Sequence, residues 1–285
     1  MKRRFCRYIQ RKRLVSGGQA RPLSNLPLQP DVFDKVYDST ERELSDQHPP
    51  DGSSVVEFLA ETWPRRTRAQ IETVFEQWEH DLDIRDNYSG VHSQLAAQHA
   101  LTLARRLQLP PDLVGGLWIA GHVYDLGKIA LPPDLLRKEG PLNNAELIAL
   151  RSHVSIGYEL LRGWDILRSC PHWLHDLVLE VVLFHHERWD GAGYLKGKQG
   201  DAIPLHARIM AIADAFAAMI LNSPYRHARS PKTALEELNT RAGEQFDPYL
   251  VQQFVRAVRL EQYRNDPIQP AHEDIPSASQ LSPSA

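Results

Sequence analysis

Apolar residues recur at three- and four-residue steps through most of the chain, the spacing that lines one face of an α-helix rather than a strand. Leu95, Ala96, His99, Leu103 and Leu107 set this rhythm in the first long amphipathic segment. Pro110-Pro111-Asp112 ends that segment and is expected to cap the next helix, which carries Leu113, Leu117 and Ala120 up to Asp125. Asn143, with Glu146 three residues on, forms a capping-box pattern ahead of a helix carrying Leu147, Leu150 and His153. The same rhythm predicts helices over about 172–186, 205–221, 231–241 and 247–263. Period-two alternation is scarce, and Trp189-Asp190-Gly191-Ala192-Gly193-Tyr194 reads as a glycine-rich loop. The pattern predicts an all-α helical bundle without internal repeats.

The two ends read differently. Residues 1–30 carry a basic run (Lys2, Arg3, Arg4, Arg7, Arg11, Lys12, Arg13) and Gly17-Gly18, and are expected to form a disordered arm. Residues 31–80 show helical patterns broken at Pro49-Pro50-Asp51-Gly52 and read as a helical extension, 81–265 as the main domain, and 266–285 as a disordered tail. With 33 Lys and Arg against 36 Asp and Glu, the net charge of −3 predicts no nucleic-acid partner. No apolar run approaches the roughly 18 residues of a membrane span, so no transmembrane segment is expected. The basic start lacks the apolar run of a secretory signal. Cys6 and Cys170 are too few and too far apart for a disulfide framework, and a cytoplasmic location is expected.

Histidine changes the picture, at 13 residues. His92, Asp125, His153, the pair His185-His186 and Asp214 fall at intervals of 33, 28, 32 and 28 residues. That is about one per helix-loop-helix unit, so several helices of a bundle can each aim one side chain at a shared centre. Imidazole with carboxylate suits iron, manganese or zinc, and a bridging Asp can hold two ions about 3.5–4 Å apart, an arrangement suited to phosphoester hydrolysis. Taken singly, a helical His is more often an ordinary partly buried residue, and His99, His172, His175 and His206 are read so. His185-His186 is harder to dismiss. Successive helical side chains diverge by about 100°, so both reach one ion only near a helix end.

The stretch Tyr124-Asp125-Leu126-Gly127-Lys128-Ile129, then His153, then His185-His186-Glu187-Arg188-Trp189-Asp190-Gly191-Ala192-Gly193-Tyr194, resembles the HD-GYP family of the HD phosphohydrolase superfamily. The likeness runs back to Arg85-Asp86-Asn87-Tyr88-Ser89 and His92. It runs forward through Ile203-Pro204-Leu205-His206-Ala207-Arg208-Ile209, Ala213-Asp214-Ala215-Phe216 and Pro224-Tyr225-Arg226 to Gly243-Glu244-Gln245-Phe246-Asp247-Pro248, covering about residues 80–260. The resemblance implies a metal-dependent phosphodiesterase that hydrolyses cyclic di-GMP to linear pGpG or GMP in bacterial signalling. By position, His92 and Asp214 match ligands of a first metal, Asp125 a bridging ligand, and His153, His185 and His186 ligands of a second. Lys128 matches a lysine beside the scissile phosphate; Arg226 and Tyr194 match substrate-binding positions. Iron or manganese is the implied cofactor, and the Gly193-Tyr194-Leu195 loop the implied contact for a signalling-protein partner.

Several positions depart from the family pattern. Tyr124 stands where the family has the dyad His that ligates the first metal, and a phenol with a pKa near 10 is a poor ligand for a divalent ion. One firm metal site is therefore expected, with an uncertain first. His122, one turn before Asp125, is weighed as a substitute ligand. Leu195 replaces a Pro, Ser223 an Arg and Ala217 an Asp, while Tyr88 occupies a position where some members carry an additional Glu ligand. The alternative reading is a degenerate, non-catalytic member that binds cyclic di-GMP or a signalling partner.

Overall fold

The structure, a computed structural model, describes residues 65–168, 170–223 and 227–265. The basic arm, the Pro49-Pro50-Asp51-Gly52 turn, Arg226 and the tail lie outside the described residues. Among the described residues there are eleven α-helices and no strand. In chain order they are α1 Arg65–Asp86, α2 Ser89–Arg106, α3 Pro111–Val123, α4 Pro133–Leu136, α5 Asn144–Arg151, α6 His153–Arg162, α7 Asp165–Arg168, α8 His172–Phe184, α9 Leu205–Ile220, α10 Pro231–Thr240 and α11 Pro248–Asn265. Two short 3₁₀ turns, Leu126–Ala130 and Gly200–Ala202, complete the fold. The boundary expected at residue 80 falls inside α1, which runs unbroken across it.

Helix α2 is the axis of the bundle, packed against α1, α3, α9 and α11. Its inner face is short-chained (Ala96, Ala97, Ala100, Ala104), and this lets α3 approach closely. A Cβ added to Gly121 on α3 would sit 2.6 Å from Ala97 Cβ. Leu103, Leu117, Val178, Ile209 and Phe254 close the core around these contacts. Burying each such side chain contributes about 1.5–3 kcal/mol.

Two local readings are refined and a third holds. Asp112 does not cap α3: Pro110 is the N-cap and Pro111 the first helical residue, where its missing N–H costs nothing, while Asp112 lies in the first turn. Asn143 does form the capping box, its side chain accepting from Glu146 N at 2.9 Å while Glu146 accepts from Asn143 N at 2.8 Å. That helix, however, ends at Arg151. Ser152 makes the turn, bonding its hydroxyl to Ala149 O at 2.6 Å, and His153 opens α6 instead of closing α5.

Candidate metal centre

Asp125, His153, His185 and His186 sit at helix ends, where the chain changes direction, while His92 lies in the first turn of α2 and Asp214 inside α9. Helix α3 stops at Val123 and the 3₁₀ turn begins at Leu126, so Tyr124 and Asp125 occupy the joint. Lys128 N bonds to Asp125 O at 2.9 Å, and this tight turn brings the Lys128 ammonium back to 2.6 Å from Asp125 Oδ2. Gly127 makes the turn possible against α6: a Cβ there would stand 1.8 Å from the His153 carbonyl oxygen. The close approach delivers His153, the first residue of α6, with Nε2 at 3.2 Å from Asp125 Oδ1. His185 and His186 follow the end of α8, as their adjacency requires, with ring centroids 4.0 Å apart.

Asp125, His153, His185 and His186 each offer one ligand atom within 4.8 Å of the others. Their second atoms explain why these atoms are free. His153 Nδ1 donates to Leu150 O at 2.7 Å, and His185 Nδ1 lies 3.0 Å from both Val181 O and Val182 O. A carbonyl only accepts, so Nδ1 carries the proton in both rings and Nε2 keeps its lone pair. Asp125 Oδ1, His153 Nε2 and His185 Nε2 are all sealed from solvent without a hydrogen-bond partner. Three orphaned acceptors converging on one point are costly unless a cation satisfies them. The residues fit a divalent ion.

The electrostatics agree. Burial raises the Asp125 carboxyl, but the Lys128 ammonium and the His153 and His185 rings hold it well below the usual carboxylate range. Burial lowers His185, and lowers His186 further with help from its two neighbouring imidazoles. Burial opposes the charge on Lys128, yet Asp125 raises it overall. Neutral imidazoles beside an ionised carboxylate are ready to take a cation without first losing protons.

The other predicted ligands gather on the far side of Asp125. His92, Asp125 and Asp214 also bring one atom each within 4.8 Å of one another. Here the Tyr124 hydroxyl lies among the ligand atoms. The Tyr124 hydroxyl donates to Asp214 Oδ1 at 2.7 Å and lies 3.3 Å from His92 Nδ1. His92 Nε2 lies 3.3 Å from the Asp214 carbonyl oxygen and 3.5 Å from Asp214 Oδ1. Tyr88 stacks on the His92 ring at 5.0 Å. Tyr124 is wholly buried, and burial followed by the Asp214 and Asp125 charges raises its phenol well above the ordinary value. His122 is turned elsewhere: its Nδ1 meets Glu79 Oε1 at 2.5 Å, so it does not replace the missing ligand.

At the mouth of the centre, the Tyr194 ring lies 4.8 Å from His186 and carries the Arg151 guanidinium 4.6 Å above its face. Leu195, next in the chain, adopts φ +115°, a conformation closed to the Pro that the resemblance places there. Two contributors were not singled out from the sequence. Buried Glu187 accepts from Lys196 N at 2.8 Å and so ties the glycine-rich loop down; an acid directly after the His pair was its only signal. Arg151 closes over Tyr194 with no sequence signal at all. Three other histidines have partners away from the centre: His206 pairs with Glu180 at 2.6 Å, His175 with Asp176 at 3.2 Å, and His99 lies edge-on to Phe216 and Phe254.

Comparison with known proteins follows the same outline. Residues 77–250 match the family described as HD domain. The chain is 37% identical over 182 residues to a cyclic di-GMP phosphodiesterase response regulator of Xanthomonas campestris, covering 64% of this chain and 47% of the relative. It is 33% identical over 171 residues to a 3'3'-cGAMP-specific phosphodiesterase of Vibrio cholerae, covering 60% of this chain and 32% of the relative. The chain thus spans less than half the length of these relatives. Among solved structures, a cyclic GMP-AMP specific phosphodiesterase of V. cholerae superposes with a TM-score of 0.52 at 18% identity, over 67% of this chain and 49% of that one, which supports the helical fold.

Proposed function

This chain belongs to the HD-domain family, and from that premise we propose that it is a metal-dependent phosphodiesterase that hydrolyses cyclic di-GMP to linear pGpG or GMP. The observation that carries this reading is the set of three orphaned, buried ligand atoms on Asp125, His153 and His185, completed by His186. The named activities of the Xanthomonas and Vibrio relatives support a 3',3'-cyclic dinucleotide as the substrate class.

Iron or manganese suits the His-rich, single-carboxylate donor set. When bound, such an ion supplies charge to the phosphodiester oxygens and makes water nucleophilic near neutral pH. The chain's own groups do the rest. Asp125 orients through Lys128, and the Lys128 ammonium, 2.6 Å from that carboxylate, sets positive charge beside it for a phosphate oxygen. Tyr194 and Arg151 line the approach to His186 and offer a flat cationic surface for a base. Arg226 grips the nucleotide, and Ser223 leaves that grip one cation short. The reaction serves cytoplasmic second-messenger signalling, with the Gly193-Tyr194-Leu195 loop as the contact for a signalling partner.

One observation favours a second reading. Tyr124 removes a family ligand, which suits a non-catalytic protein that binds the nucleotide. The full chain, loaded anaerobically with Fe²⁺ or Mn²⁺, is assayed by chromatography on cyclic di-GMP and 3'3'-cGAMP, with Asp125→Ala alongside. Turnover lost in the variant supports the enzyme. Nucleotide binding without turnover, with metal confirmed bound, supports the second reading.

A further inference from the structure

The sealed, orphaned atoms of the centre fall on one side only, and that asymmetry bears on how many ions the chain takes. Asp125 Oδ1, His153 Nε2 and His185 Nε2 lack partners, whereas on the other side Asp214 Oδ1 already accepts from the Tyr124 hydroxyl. A site awaiting a cation leaves acceptors pointing at an empty point; a site already satisfied does not. On the His92 side, the Tyr124 hydroxyl stands between the two candidate ligands, 2.7 Å from Asp214 Oδ1 and 3.3 Å from His92 Nδ1.

The carboxylate is engaged on that side as well. To bridge two ions, Asp125 would present Oδ1 to one and Oδ2 to the other, but Oδ2 is held by the Lys128 ammonium at 2.6 Å. A cation on the far side would have to settle beside the Lys128 ammonium and displace the Tyr124 hydroxyl, which is wholly enclosed by protein. Tyr88, stacked on His92 with rings 15° from parallel, packs that ring further into place.

We propose that the Tyr124 hydroxyl substitutes for the first metal ion, so that the chain binds a single divalent cation at Asp125, His153, His185 and His186, with His92 and Asp214 as partners of Tyr124 rather than ligands. This rests on the metal-dependent reading above. His92, Tyr124 and Asp214 are positioning residues: their hydrogen bonds fix the joint between α3 and the 3₁₀ turn, and so fix Asp125.

The test is metal stoichiometry of the full chain, reconstituted anaerobically with Mn²⁺, desalted and counted by mass spectrometry against protein concentration. The wild type is expected to hold one ion, His92→Ala one, Asp125→Ala none, and Tyr124→His two. Two ions in the wild type, or loss of the ion in a folded His92→Ala, would overturn the inference while leaving a metal-dependent enzyme intact. A folded wild type that holds none would overturn the metal-dependent reading itself. A Tyr124→His protein that folds and still holds one shows that Tyr124 is not what closes the first position, and overturns the inference. If Tyr124→His does not fold, spectroscopy decides. The iron-loaded wild type, oxidised in air, is expected to show no visible phenolate-to-ferric band that Tyr124→Phe abolishes. Such a band would make Tyr124 a ligand and refute the proposal.

Discussion

Replacing Gly127 by Ala tests how the fold positions the centre. The added Cβ would lie 1.8 Å from the His153 carbonyl oxygen and 2.6 Å from Gly157 N, both backbone atoms that cannot swing aside. Restoring a tolerable contact near 3.0 Å requires α6 to withdraw from the 3₁₀ turn by about 1.2 Å. Overpacking of this kind costs about 1–3 kcal/mol, and the rigid backbone puts Gly127→Ala near the upper end. At about 2–4 °C per kcal/mol for a domain of this size, the melting temperature should fall by roughly 6–12 °C. The same shift carries His153 away from Asp125, now 3.2 Å distant. Ligand distances tolerate only about ±0.2 Å, so Mn²⁺ affinity should drop at least about tenfold, as it does when a ligand's support is removed. Differential scanning calorimetry and isothermal titration measure the two effects. Gly140→Ala is the control: its φ of +91° makes a side chain strained by about 1–2 kcal/mol, but nothing lies within 4 Å, so metal binding should not change. A Gly127→Ala protein that melts with the wild type and binds Mn²⁺ equally well would refute this account of the joint.

Three further outcomes are expected. Burial lowers His99 to about 4, so the unfolded chain takes up a proton first as the pH drops below about 6.5; full stability above that pH should be lost progressively toward pH 4, by about 3 kcal/mol, and urea unfolding of His99→Leu should show a flatter profile. Lys128→Met leaves the Asp125 carboxylate buried without its ammonium, so the metal-free variant should lose about 3–5 kcal/mol and regain more than the wild type does when Mn²⁺ is added; an unchanged metal-free melt would count against the pair. Leu195→Gly relieves the +115° backbone at the cost of some packing, for a net gain of about 1 kcal/mol in chemical denaturation; a clear loss would mean that the loop is not strained.

Much of this was legible in the sequence because helical rhythm and capping are local. The periodicity of Leu95 to Leu107 and the Asn143–Glu146 pair specify α2 and the start of α5 within a few residues. The convergence of these side chains was legible for a different reason: His and Asp at intervals of one helical unit can be aimed at a shared centre, and the structure brings them together. What local pattern does not carry is which atom of each side chain is already engaged. The engagement of Asp214 by Tyr124 depends on how α3 and α9 meet, and Tyr124 read from the sequence was only a weak ligand. The φ of Leu195 and the stacking of Arg151 on Tyr194 are likewise set by the loop that Glu187 anchors, not by neighbours in sequence. His122 shows the converse: its spacing from Asp125 admitted a role as ligand, and Glu79, 43 residues away, claims it.

The most direct measurement is an anomalous difference map from crystals of the full chain soaked in Mn²⁺. One peak is predicted, within bonding distance of Asp125 Oδ1, His153 Nε2, His185 Nε2 and His186, with the Tyr124 hydroxyl still on Asp214. No peak at those four residues, or a second between His92 and Asp214, would contradict the account.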